Sequence, residues 1–262
     1  MKKLITTDTI SQQLTPGLLT EMGVISSDLN IPPGSDFNSS NKLKYRIWTT
    51  YGRRKKGNYN NGYLGIELRE GKLFVNQYLV NSTKKNENRF LVNEINAEIE
   101  IENNFLASPL SWNYKSTFFD ETKETNSKIL KKTISESAYK FGRRPFNEFN
   151  INNYTSNWSL IYSIKNWKKE NLPNEEFDII ENLSVVKKDN KIVFNESVEE
   201  RWSTKLMVFD KYKLVGRGIM PFTFWLDEAG FPLLITSGYL ALIFDPTAQN
   251  FEYNRFQDDE ED

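Results

Sequence analysis

The pentapeptide WNYKS at 112–116 sets the phenol of Tyr114 beside the ammonium of Lys115. A neighbouring cation favours the phenolate, which makes Tyr114 a candidate general base. A second ammonium, Lys205, stands among apolar residues in RWSTKLMVF (201–209). Tyr114, Lys115 and Lys205 are therefore the candidate catalytic residues. The chemistry they suit is elimination from a uronate sugar by a lyase or dehydratase. A Lys or Arg neutralises the sugar carboxylate, and Tyr or Lys removes the acidified α-proton.

Two absences narrow the alternatives. The 262 residues contain no Cys and no His. Thiol nucleophiles, thiolate metal sites, disulfides, a Ser-His-Asp triad and a His-ligated zinc are thereby excluded. Any metal would need oxygen ligands, and no calcium-loop spacing is present, so neither metal nor cofactor is expected. Glu98, Glu100 and Glu102 share one strand face, about 6.5–7 Å apart by strand rise, and such a row reads as a solvated face rather than a glycosidase pair. The basic loops RRKK (53–56) and GRRP (142–145) are weak as nucleic-acid patches beside a net charge of −1. No nucleic-acid partner is expected.

Aromatic residues make up 14% of the chain, with six Trp. On a curved sheet such rings form platforms for sugar rings or apolar ligands. Trp112, Trp202, Trp225 and Tyr78 are the candidate ligand-binding aromatics, and Arg69, a charge within the strand-like run YLGIELRE, is added to them. Strand parity puts Trp202, Leu206 and Asp210 on one face of 201–211. Lys205, Met207 and Phe209 fall on the other, an ammonium in an apolar wall as a pocket needs.

The elements that must carry these residues are mostly strands. Thr15 as N-cap, Pro16 at the first helical position and Gly23 past the end predict one short helix in an N-terminal arm, 1–42. From Leu43 the period changes to two. Residues 63–80 read as a hairpin turning at Glu70-Gly71. Residues 89–102 alternate strictly, with Val92, Ile95, Ala97, Ile99 and Ile101 against Asn96, Glu98, Glu100 and Glu102, one face buried and the other wet or facing a polar groove. The polar run 120–128 reads as a loop, 128–139 and 157–167 as strands, and 176–198 as a hairpin turning at Asp189-Asn190. Residues 201–245 form the densest apolar stretch, turning at 216–218 and 227–230. Its second half is apolar on both faces, which predicts a central strand set covered on both sides.

About ten to twelve strands with short connections and no crossover helix predict an all-β fold. It is an antiparallel meander forming a large or partly open β-barrel, with a short N-terminal helical arm. The strand order resembles, in architecture alone, the half-barrels of bacterial lipoprotein carriers and lipocalin-like barrels. Neither family's fingerprint motif is present. The β domain spans 43–250, and 251–262 is an acidic tail expected to be disordered.

The leading functional expectation is a binding module holding a carbohydrate or an apolar small molecule on an aromatic-lined concave face. The His-independent carbon–oxygen lyase is the alternative, and a structural or interaction protein the second. Partners are then a small molecule or oligosaccharide. No apolar run reaches the ~18 residues of a membrane span, and no signal-peptide core follows the N-terminal lysines. The expected compartment is the cytoplasm, or the periplasm or exterior if a leader precedes the chain.

Overall fold

The structure, a computed structural model, describes residues 13–27, 29, 41–49, 59–84, 89–118, 121–130, 133–137, 153–167, 175–238 and 240–248. The expected acidic tail and the basic loops at 53–56 and 142–145 lie outside them.

Two helices and one 3-10 turn accompany fourteen strands among the described residues. The strands in the first half are β1 (Lys42–Thr49), β2 (Tyr59–Arg69), β3 (Lys72–Lys84), β4 (Arg89–Ile101), β5 (Pro109–Phe118), β6 (Glu121–Leu130) and β7 (Thr133–Ser137). The second half contributes β8 (Tyr154–Ser156), β9 (Phe177–Glu181), β10 (Val185–Trp202), β11 (Lys205–Val215), β12 (Phe222–Leu226), β13 (Pro232–Ser237) and β14 (Leu240–Phe244). All belong to one sheet in the order β7-β6-β5-β4-β3-β2-β1-β14-β13-β12-β11-β10-β9-β8. Every neighbouring pair is antiparallel except β8 with β9. The fold is therefore all-β, a long meander folded back so that β1 pairs with β14.

The sheet formed by the described residues does not close. Among the described residues the terminal strands β7 and β8 do not pair. Instead β8 is tied to the loop between β4 and β5 by side chains. Thr155 Oγ1 donates to the Leu106 carbonyl at 2.7 Å and Ser108 Oγ to the Tyr154 carbonyl at 2.6 Å. Asn104 shapes that loop, its Oδ1 accepting from the backbone N–H of Leu106 and of Ser108, both at 3.1 Å.

The segment 157–167 is not a strand. It forms α2 (Asn157–Ser163) and a 3-10 turn, Ile164–Asn166; α1 is the arm helix, Pro16–Glu21. Apolar residues at 158, 160, 161, 162 and 164 satisfy either period over so short a run, and tertiary packing decides between them. Ser156 caps α2, accepting from the Ser159 N–H at 3.0 Å, and every residue from 158 to 164 is buried. The helix packs on the inner face of the sheet at β3 and β5. Trp158 stacks on Tyr114 of β5 at 6.4 Å between ring centroids, and its indole N–H donates to Gln77 Oε1 of β3 at 3.4 Å. Cross-strand register puts Leu43, Tyr45, Leu64, Ile66, Leu73, Val75, Ile95, Ala97, Ile99 and Trp112 on this same face, all buried.

Three further sequence expectations change. The run 121–130 is β6 rather than a loop: it supplies a ladder to β5 along its whole length, which its polar side chains do not oppose. The hairpin after β9 turns at Asn182 and Leu183, both in the left-handed region, whereas Asp189 (φ 57°) marks an irregularity inside β10. The β10–β11 turn contains Ser203 at φ 56°, so Trp202 pairs with Lys205 and the two share a face instead of opposing each other.

The arm helix follows its sequence signals. Thr15 Oγ1 accepts from the Leu18 N–H at 3.1 Å, Pro16 opens the helix and Gly23 follows at φ 71°. It lies on the outer face of β10–β12. The Gly17 N–H donates to Glu200 Oε2 at 3.0 Å, Thr20 Oγ1 to the Arg201 carbonyl at 3.1 Å, and Gln13 Nε2 to Thr223 Oγ1 at 2.8 Å. Leu14, Leu19, Met22 and Ile25 are buried there. The strands β12–β14 are consequently buried on both faces.

Candidate functional site

Along β1–β6 the outer face carries polar and aromatic side chains, because these strands alternate. Register aligns them into rows across the sheet. One row runs Lys44, Gly65, Asn76, Asn96, Lys115, Glu124. The next runs Lys42, Glu67, Phe74, Glu98, Asn113, Asn126. Between them lies an open cleft of about 720 Å³, flanked also by Tyr63 and Arg69. That volume lies within the ~300–1,000 Å³ of small-molecule sites.

Gly65 makes the floor. Its backbone is ordinary strand, and a Cβ there would meet only the Asn76 carbonyl oxygen, at 3.7 Å. The glycine is not demanded by backbone conformation. Its missing side chain is what opens the face.

The cleft's polar groups are joined in a chain. The Tyr63 hydroxyl donates to Asn76 Oδ1, Asn76 Nδ2 to Asn96 Oδ1 at 2.6 Å, and Asn96 Nδ2 to Glu94 Oε1 at 3.1 Å. Such a relay fixes both amides before any ligand arrives. Tyr63 also stacks on Tyr78 of β3 at 6.1 Å. Arg69 sits over the Phe74 ring at 5.4 Å and donates to Glu67 Oε2 at 2.7 Å. Burial, with Glu94 and Tyr78 adding to it, pushes the Tyr63 phenol above its usual range. The Arg69 hydrogen bond leads the groups that hold the Glu67 carboxyl below its own.

The residues singled out by sequence divide between three places. Tyr114, Lys115 and Arg69 line the cleft. Tyr114 turns its ring inward onto Trp158, while Lys115 points outward and pairs with Glu124 at 3.0 Å. Adjacent strand residues face opposite ways, so the phenol and the ammonium do not converge. Tyr78 is half-buried beside Tyr63.

The tryptophans belong to the core. Trp112 is buried on the inner face, Trp202 packs on Phe209 at 6.0 Å, and Trp225 donates from its indole to Thr236 Oγ1 at 3.3 Å with the Lys211 ammonium 4.9 Å from its ring. Lys205 is exposed at the β10–β11 turn, with seven strands between β5 and β11 in the sheet order, and it does not line the cleft. Tyr63, Phe74, Asn76 and Asn113 were not singled out by sequence. The signal for them is the alternation of β2–β5, which needs the register to become a row.

No family model matches the sequence, and no curated protein matches it. Among solved structures the chain is similar to a crystal structure of a β-barrel-like protein of the domain of unknown function DUF1849 from Brucella abortus. Identity is 9%, the match covers 79% of this chain and 98% of that one, and the TM-score is 0.49. Among the described residues no group of acidic side chains is placed to hold a metal ion, and no helix is long and apolar enough to cross a membrane.

Proposed function

We propose that this protein is a binding module for a short oligosaccharide, held in the outer cleft of β1–β6. The observation that carries this reading is the Tyr63–Asn76–Asn96 relay beside the open floor at Gly65. Amide groups offer both donor and acceptor, as a ring of hydroxyls requires. Phe74 and Tyr63 offer apolar ring surface for a sugar's C–H face. Binding is favoured over elimination chemistry by two features. A lyase base needs a phenol driven towards phenolate, whereas Tyr63 is shifted the other way. Tyr114 is committed to the inner face. An apolar ligand inside the barrel is disfavoured because α2 with Trp158, and Trp112 of β5, occupy that side.

Titration calorimetry against a panel of neutral and acidic oligosaccharides tests the reading. At least one should bind the wild type, and Gly65→Val should abolish that binding with an unchanged urea midpoint. Failure of every oligosaccharide to bind, or undiminished binding by Gly65→Val, overturns it.

A further inference from the structure

The charges of the cleft are unevenly committed. Among the described residues each acidic side chain lining it already has a cation. Glu67 takes Lys42 at 3.3 Å and Arg69 at 2.7 Å, Glu98 takes Lys72 at 2.5 Å, and Glu124 takes Lys115 at 3.0 Å. Lys44 stands apart. It is half-buried and lines the cleft beside Gly65, yet no carboxylate among the described residues lies within ion-pairing distance of its ammonium. The nearest acid along the strand pairing is Asp245, whose backbone N–H reaches the Lys44 carbonyl at 2.9 Å. Its carboxylate is already engaged, by Arg46 at 2.5 Å and by the Thr247 hydroxyl at 2.6 Å.

Resting on the oligosaccharide reading, we infer that the ligand is acidic: a sugar-ring carboxylate pairs with Lys44 while the hydroxyls of the same ring meet Asn76 and Asn96. A cleft-lining ammonium with no carboxylate beside it among the described residues is left to pair with an anion of the ligand through a charge-assisted hydrogen bond. Among the described residues the one guanidinium lining the cleft, Arg69, is occupied by Glu67, which leaves Lys44 as the cation for the ligand's anion. The neighbouring amides add hydroxyl recognition that a simple anion site would not need.

Three probes decide the matter by calorimetry: a uronate oligosaccharide, its carboxyl-reduced neutral counterpart, and a sulfated neutral oligosaccharide. Wild type should bind the uronate about ten- to a hundredfold more tightly than the neutral sugar, the range expected for a hydrogen bond to a charged group. Raising salt should narrow that gap. Lys44→Met and Lys44→Gln should bind both sugars equally at the neutral level, and Lys44→Arg should keep most of the preference. Urea midpoints of the variants show that the fold is intact. Equal binding of uronate and neutral sugar by wild type, or a preference that survives Lys44→Met, overturns the inference while binding lost in Gly65→Val leaves the oligosaccharide reading standing. Tight binding of the sulfated probe alone also overturns it. If none of the three binds, both readings fall together.

Discussion

The two halves of the sheet use the same strand geometry for opposite ends. In β1–β6 one face is buried, with α2 packed on it at β3 and β5, and the other is open to solvent around the cleft. In β12–β14 both faces are buried, one within the barrel and one on the side that carries the N-terminal arm. The first half can carry a site because it keeps a free face with fixed polar rows. The second offers no such face, because nearly all its side chains are buried. The richest aromatic segment of the chain is thus scaffold, and the less conspicuous Asn-bearing strands hold the candidate ligand surface.

The contrast is sharpest at Trp225. It is 1% exposed on the outer face of β12, against Phe209 at 6.3 Å. Trp225→Ala should cost about 3–5 kcal/mol, through lost burial and the cavity left behind. A urea denaturation midpoint measures it. A cost under about 1 kcal/mol would mean that the arm does not seal this face, and the distinction between the halves would fail.

That result was half legible in the sequence. The two-sided apolar pattern of 218–244 correctly marks the centre of the sheet, and the Thr15, Pro16 and Gly23 signals correctly mark the helix of the arm. What parity cannot carry is information across a turn. Ser203 adopts a left-handed conformation that its type does not announce, and the chain reverses there, so Trp202 and Lys205 end on one face. Leu183 hides the β9–β10 turn in the same way. The helix at 157–163 was detectable from Ser156 as a cap, but its apolar run fits a strand equally well. The cleft was illegible for a different reason. Asn76, Asn96 and Lys115 lie on three strands, and only the pairing register makes them neighbours.

At the seam where β1 meets β14, Arg46 donates to Asp245 Oδ2 from Nη2 at 2.5 Å and from Nε at 3.1 Å. The Asp245 side chain is 3% exposed and that of Arg46 20%. Burial pushes the Asp245 carboxyl up, but the Thr247 and Arg46 hydrogen bonds outweigh it and leave it below the usual value of 3.8. A lowered folded value means that this stabilisation is present above the unfolded carboxylate range. It is lost as pH falls through the lower folded value. Arg46→Ala should cost about 2–3 kcal/mol at neutral pH, somewhat less than a fully buried pair because Arg46 keeps some solvent. Its loss should shrink as pH drops below about 4, since protonation removes the stranded charge. A penalty that stays constant from neutral to strongly acid pH would show that the pair contributes packing rather than charge.

The smallest effect belongs to the open half. Gly65→Val puts a β-branched side chain on unstrained strand backbone, a change that strand propensity favours. The added Cβ touches only the Asn76 carbonyl oxygen at ordinary contact distance. Stability should therefore move by no more than about 0.5 kcal/mol, as for other surface changes. Ligand binding should nonetheless disappear, because the new side chain occupies the floor between Lys44 and Asn76. The pair of readouts separates the halves cleanly. Substitution in β12 changes stability, whereas substitution in β2 changes binding and leaves the urea midpoint in place. A stability loss above about 2 kcal/mol on Gly65→Val would show that the space over Gly65 is already filled. The outer face of β1–β6 would then be packed like that of β12–β14.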